Sequence, residues 1–260
     1  MRDVLEKLAR GEISVDDAEK QLKIMNIEVI EDFCKFDLGR QLRKGIPEII
    51  LAEGKTPENV RDIALTVAAE TGRVIISRAN AEHIAALKET LPDSFSLEGN
   101  EGVGTLVLKK RGSTVEKTGG RVAILTGGTS DIRIAEEANL VAQEMGCEVM
   151  TAYDVGVAGI HRLFPPLKEI VQRDVDVLIV VAGREGALPT LVAGLVDIPI
   201  IAVPTSSSWG LGEKGLSALT AMLQACSLGI TVVNIDGGVA AGAAAALMAN
   251  KVARARKVAE

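Results

Sequence analysis

Several features are missing from these 260 residues. There is no apolar run of 18 residues, so nothing in the pattern reads as a transmembrane helix. The opening MRDVLEKLAR is charged from its second residue and lacks the apolar stretch of a secretory signal, which predicts a cytoplasmic protein. The 3 cysteines, Cys34, Cys147 and Cys226, are odd in number and far apart, which argues against a disulfide framework, rules out a CxxC-type metal cage and points to a reducing compartment. Basic charge is in deficit. With 29 Lys and Arg against 35 Asp and Glu, the net charge is -6, and neither nucleic acid nor an anionic membrane finds an electrostatic footprint. The expected partner is a small molecule. What is present is 47% apolar content, enough to bury a sizeable core in one large or two small domains.

The periodicity changes three times along the chain. Residues 1–27 hold two amphipathic segments joined at Gly11, with Leu5, Leu8, Ala18, Leu22 and Met25 at helical spacing. Residues 28–110 mix strand-like PEIILAEG, GRVIISR and GVGTLVLKK with helix-like TPENVRDIALTVAAE and NAEHIAALKETL, a small α/β domain. Residues 111–120 are polar, glycine-containing and aperiodic, and read as a linker. From 121 to 260 strands alternate with helices: RVAIL, EVMTAY, VDVLIVVA, IPIIAV and ITVVNI, with helices near 131–145, 161–172, 187–196, 213–228 and 240–258. Near-continuous hydrophobic strands, each followed by a helix, predict an α/β fold: a parallel five-stranded sheet covered on both faces, in three layers. The carboxyl ends of such strands form the expected binding edge.

Four crossovers carry chemical residues at that edge. In LTGGTSD, Gly127 and Gly128 admit close backbone approach, Thr129 and Ser130 can donate to an anion, and the helix start attracts negative charge. A phosphate fits there, although a glycine turn capped by Thr129, Ser130 or Asp131 explains the residues equally well. The second crossover, YDVGVAGIHRLFP, places Asp154 after a strand and carries His161, which is either a proton shuttle or a partly buried histidine near a helix start. The third, VAGREGALP, offers Gly183, Arg184, Glu185, Gly186 and Ala187, where the guanidinium can grip phosphate and the carboxylate can move a proton, or the charges simply decorate a turn. The fourth, VPTSSSWG, supplies Ser206, Ser208 and the single tryptophan, Trp209, a stacking ring or a core aromatic.

Cys226 is ambiguous from spacing. Leu216, Leu219, Leu223 and Cys226 share one helical face, which argues for core filling. Reactivity instead requires a partly exposed, electropositive pocket that favours the thiolate. The last helix carries GGVAAGAAAALMA, whose small side chains permit close helix approach and suggest a seam between subunits of a homo-oligomer.

In this order the crossovers resemble the PurE-like superfamily, the aminoimidazole ribonucleotide (AIR) carboxylases and mutases. GGTSD resembles its GS-x-SD phosphate loop with Gly128 for serine, His161–Arg162 its HR pair, and QACSLGITV its Q-M-P-x-G-v-P-v segment. Two departures count against the purine reaction: GREGALPT lacks the histidine of the family's GGAAHLPG loop, and Cys226 stands for its proline. A closer resemblance is to the LarB family of pyridinium-3,5-biscarboxylic acid mononucleotide synthases. GIPEIILAEGKTPENV, YDVGVAGIHRL, GREGALPTLVAGL and MLQACSLG carry it over residues 35 to 245.

That resemblance implies a PurE-like, flavodoxin-type octamer. It also implies a substrate, nicotinic acid adenine dinucleotide, carboxylated at pyridine C5 by CO2 and hydrolysed to release AMP, the first step towards the nickel-pincer cofactor of lactate racemase. It implies Cys226 as the catalytic cysteine, the nucleophile, and Glu185 as the active-site glutamate, which the chemistry suits to removing the C5 proton; the mononucleotide phosphate is expected at Gly127 to Asp131, with Mg²⁺ expected to assist pyrophosphate cleavage. Lys55 and Thr56 of EGKTP also match, with Thr56 equally placed to cap a helix before Pro57. Two rivals stay open, a purine-type ribonucleotide mutase that needs His161 but not Cys226, and a non-catalytic nucleotide-binding scaffold.

Overall fold

The computed structural model describes residues 2–23, 28–30, 34–36 and 40–259. Met25 of the first amphipathic stripe and the 27/28 boundary lie outside the described residues. The chain divides into two compact units, Met1–Thr114 and Val115–Glu260.

The first unit opens with helices α1 (Arg2–Ala9) and α2 (Val15–Lys23), then β1 (Glu28–Ile30), β2 (Cys34–Phe36) and α3 (Arg40–Lys44). Its body follows: β3 (Ile49–Leu51), α4 (Pro57–Thr71), β4 (Arg73–Ser77), α5 (Ala81–Glu89), β5 (Phe95–Asn100) and β6 (Thr105–Lys110). The strands form one mixed sheet in the order β3-β4-β6-β5, with β3 and β4 parallel and the other pairs antiparallel. Val60, Ile63 and Val67 of α4 and Leu87 of α5 bury against Ile50, Val74, Ile76, Leu106 and Leu108. Thr56 caps α4 by accepting the Asn59 N–H at 3.3 Å, with Pro57 at the first helical position. Asn80 caps α5, and the buried His83 closes that cap: its Nδ1 accepts the Asn80 N–H while Nε2 faces the Lys55 carbonyl at 2.9 Å. That arrangement fixes the neutral Nε2–H tautomer and spends both ring nitrogens on the fold. Strand β5 was not anticipated. It has no β-branched residue, and only its hairpin with β6 makes it a strand.

The second unit contains β7 (Arg121–Thr126), α6 (Ile132–Glu144), β8 (Glu148–Ala152), α7 (Phe164–Gln172), β9 (Val177–Ala182), α8 (Ala187–Ala193), β10 (Ile200–Pro204), α9 (Leu216–Leu223), β11 (Ile230–Val232) and α10 (Gly238–Ala259). The five strands are all parallel, in the order β11-β10-β9-β7-β8. On one face Leu163, Leu167 and Ile170, with Leu188, Val192, Ala218 and Met222, cover Leu125, Leu178, Val180 and Ala202. On the other, α6 and α10 pack on each other and on the central strands. The fold is thus an α/β three-layer sandwich with a smaller α/β unit before it. Strand order reverses between β7 and β9, and that switch point opens a crevice at the carboxyl ends of the strands.

Two expectations are corrected here. The helix expected over 213–228 is shorter: a 3-10 segment, Gly210–Gly215, with left-handed Glu213 and Lys214, precedes α9, and α9 stops at Leu223. Cys226 therefore does not continue the helical face of Leu216, Leu219 and Leu223. It lies beyond the helix and is exposed, which removes the core-filling reading. The small residues of α10 serve close packing inside the unit: a Cβ on Gly242 would lie 2.5 Å from the Ala138 carbonyl oxygen of α6, and one on Gly238 2.3 Å from that of Ile134. Among the described residues no helix is long and apolar enough to cross a membrane.

Candidate active site

The crevice at the switch point is a cleft of about 470 Å³. Four strand-end crossovers build it. After β7 come Gly127, Gly128, Ser130 and Asp131; after β8, Asp154, Gly156, Val157, Ala158 and Arg162; after β9, Gly183, Arg184, Glu185, Ala187 and Leu188; after β10, Ser207 and Trp209.

Asp131 ties these loops together. It is only 4% exposed; Oδ2 accepts the Gly128 N–H at 3.0 Å, and Oδ1 accepts the hydroxyls of Thr205 at 2.7 Å and Ser207 at 3.1 Å. Both oxygens of this buried carboxylate thus have hydrogen-bond partners, as burial of a polar group demands. Gly183 leaves the room for this tie, because a Cβ there would meet Ser207 Oγ at 2.3 Å and Thr205 Oγ1 at 2.7 Å. The amide of Gly127 is also engaged, donating to the Val181 carbonyl at 2.9 Å. Asp131 stands at the N-cap position of α6 without a side-chain capping bond, its carboxylate serving the loops instead, and an anion in the cleft would meet Ser130 rather than the amides of Gly127 and Gly128.

Backbone strain gathers at the same edge. Asp154, Arg184 and Asp236, none of them glycine, have φ of 57°, 54° and 55°. Such conformations cost about 1–3 kcal/mol each and persist only where surroundings hold them. Here the Asp154 N–H donates to Thr126 Oγ1 at 2.9 Å, and Asp236 Oδ1 accepts the Ser206 N–H at 2.9 Å. The Asp154 carboxylate pairs with Arg162, whose guanidinium borders the cleft. Burial and a hydrogen bond to Glu136 push the Tyr153 phenol above its ordinary value, so it remains a neutral donor that fastens the end of β8 to α6. Arg184 lies over the Trp209 ring, with Cζ 4.1 Å from its centroid.

Several anticipated residues sit elsewhere. His161 is exposed and does not line the cleft, whereas its neighbour Arg162 does. Thr129 and Ser206 are exposed and outside the lining, and the buried Ser208 donates to the Arg184 carbonyl at 3.4 Å. Gly186, with φ of 64°, turns the chain into α8 where a Cβ would lie 2.7 Å from the Ala218 carbonyl oxygen. Thr126 and Thr205 were not anticipated as site residues, since a hydroxyl in a strand-end sequence gives no sign of which group it will meet.

Cys226 hangs from the other end of the sheet. Gly229 O accepts the Ile200 N–H where β10 begins, and Ser227 Oγ donates to the Thr190 carbonyl at 2.9 Å. Glu185 follows the carboxyl end of β9. The two ends are separated by the length of a strand, roughly 13 Å for the four steps of β10 at about 3.3 Å each. A second depression, of about 420 Å³, lies at the amino ends of β7 and β8; its charged side chains pair among themselves, Arg121 with Asp174 and Arg173 with Glu148.

The thiols differ in a measurable way. Burial, and next the Asp176 charge, push the Cys147 thiol up to about 11, and its Sγ donates to Asn250 Oδ1 at 3.3 Å, whereas Cys226 is exposed. Brief iodoacetamide treatment of the folded protein at pH 8 is expected to alkylate Cys226 and spare Cys147, read by peptide mass mapping.

Residues 121–259 match the AIR carboxylase family model, more than half of the chain and all of the sheet that carries the cleft. The chain belongs to the AIR carboxylase family. Within this PurE-like superfamily it is extended at the amino end, where residues 27–108 match the LarB/PurE-like N-terminal domain. An uncharacterised protein of Methanocaldococcus jannaschii is 44% identical over 253 residues, 96% of each chain. The N5-carboxyaminoimidazole ribonucleotide mutase of the same organism is 36% identical over 119 residues, 45% of this chain and 71% of that enzyme. That of Thermotoga maritima is 30% identical over 108 residues, 40% of this chain and 59% of that enzyme. AIR carboxylase relatives are carboxylases and mutases, so an enzymatic cleft is the family's expectation here too.

Proposed function

We propose that this AIR carboxylase family member is a nicotinic acid adenine dinucleotide carboxylase and hydrolase. It adds CO2 to pyridine C5 and cleaves the pyrophosphate, giving AMP and pyridinium-3,5-biscarboxylic acid mononucleotide, the first step towards a nickel-pincer cofactor. The observation that carries the reading is the exposed thiol of Cys226 in MLQACSLG, where the purine-type segment has proline. The amino-terminal match to the LarB/PurE-like domain supports it.

A pyridinium ring is electron-poor and does not attack CO2. The Cys226 thiolate adds to ring C4, a C–S bond forms, and a ring electron pair moves onto nitrogen. The dihydropyridine is an enamine, nucleophilic at C5, and its C5 attacks the carbon of CO2. The Glu185 carboxylate, which borders the cleft, takes the C5 proton. The electron pair returns to the ring, the C4–S bond breaks, and the thiolate leaves as aromaticity is restored. Water then attacks the pyrophosphate and AMP departs.

Because Cys226 and Glu185 follow opposite ends of the strands, the thiol at each cleft comes from a neighbouring copy in a homo-oligomer, an octamer on the PurE-like pattern. His161 has no step in this scheme. Among the described residues no group of three or more His, Cys, Asp or Glu side chains is placed to hold a metal, and both oxygens of Asp131 are already engaged by protein donors. Any Mg²⁺ would therefore have to come with the substrate, and the chemistry it would supply is charge neutralisation at the pyrophosphate.

The test is product mass spectrometry after incubation with nicotinic acid adenine dinucleotide, bicarbonate and Mg²⁺. AMP plus a mononucleotide heavier by one CO2 is expected. Binding of the dinucleotide without AMP or carboxylated product would sink the reading, and conversion of N5-carboxyaminoimidazole ribonucleotide would return the chain to the purine mutases.

A further inference from the structure

We propose that Trp209, backed by Arg184, is the platform on which the purine base of the adenylate half stacks at the mouth of the cleft. This rests on the dinucleotide reading above. Trp209 is the single tryptophan of the chain, and it is 73% exposed although it borders the cleft. One face of the indole is covered by the Arg184 guanidinium at 4.1 Å, and the ring is otherwise largely open to solvent.

The pair is held from behind. Arg184 takes its left-handed φ of 54° directly after Gly183, its carbonyl accepts the Ser208 hydroxyl next to Trp209, and Gly210 turns the chain away at φ 68°. A guanidinium on one face draws on the ring's negative quadrupole, which weakens the attraction of the opposite face for a second cation. The open face therefore suits a neutral base better than a cationic pyridinium. An uncharged purine presents the largest flat surface of the substrate, and base–aromatic stacking tolerates any orientation within the ring plane. Placing the adenine at the rim leaves the cleft itself to the pyridinium mononucleotide, near Glu185.

The test is calorimetric titration of the wild type, Trp209→Leu and Trp209→Phe with AMP, nicotinic acid mononucleotide and ribose 5-phosphate, alongside tryptophan emission of the wild type. Trp209→Leu is expected to weaken AMP about 10-fold or more while leaving the other two ligands within about 2-fold, and Trp209→Phe to recover most of the AMP affinity. AMP is also expected to perturb the tryptophan emission saturably. Equal AMP affinity in Trp209→Leu and wild type, or parallel loss of all three ligands, would overturn the assignment. None of these readings needs turnover. A protein that binds AMP through Trp209 but fails to carboxylate the dinucleotide refutes the proposed reaction alone, and one that carboxylates without using Trp209 refutes the platform alone.

Discussion

Under the proposed scheme, Cys226→Ala is expected to abolish both carboxylation of nicotinic acid adenine dinucleotide and release of AMP, by about three orders of magnitude or more in turnover, because a covalent nucleophile is removed. The side chain is exposed and lies beyond the end of α9, so the substitution leaves no core cavity and the variant keeps the wild-type melting temperature within about 1 °C. Intact-mass spectrometry, product analysis and thermal denaturation on one preparation measure all three quantities. The purine-mutase alternative makes the opposite forecast, because a reaction run without a thiol is indifferent to this residue. Retention of full activity in Cys226→Ala would remove the covalent scheme.

Asp131→Ala is the second large effect, and it strikes stability as well as activity. The substitution strips the acceptor from the Gly128 N–H and from the Thr205 and Ser207 hydroxyls in a buried setting. A cost of about 3 kcal/mol follows from losing charge-assisted hydrogen bonds and leaving buried donors unmatched. The unfolding transition of the second unit is then expected to fall by about 6–12 °C. Asp131→Asn is intermediate: one amide oxygen still serves the two hydroxyls, but the amide NH2 faces the Gly128 N–H, donor against donor. Differential scanning calorimetry checks the order, wild type above Asn above Ala. Equal stability of all three would show that the tie contributes nothing.

The second unit was readable because a buried parallel strand needs apolar residues on both faces. VDVLIVVA and IPIIAV have little choice of structure, and the glycines and charges after them mark the carboxyl edge. Strand β5 was not readable, since its residues are neither β-branched nor fully buried and its partner alone defines it. The cleft was legible at the level of loops, so Gly127, Asp154, Arg184 and Glu185 fell in it as their strand-end positions implied. Individual atoms were not. His161 and Arg162 are adjacent in a 3-10 segment, and which of them borders the cleft depends on a kink at Gly159 that no periodicity encodes. Cys226 was misplaced for a related reason: helical spacing continues past Leu223, but the helix does not.

The tie from Asp131 to Thr205 and Ser207 joins the loops after β7 and β10 across Gly183 of β9. In thermodynamic terms the floor of the cleft is preorganised: its conformational entropy is given up when the second unit folds, not when a ligand arrives. Ligand contact with that floor should therefore show a heat-capacity change set by desolvated surface alone, without the larger excess that marks a segment ordering on binding. The Asp131 carboxylate acts as a rivet of the scaffold, engaged by three donors from two loops.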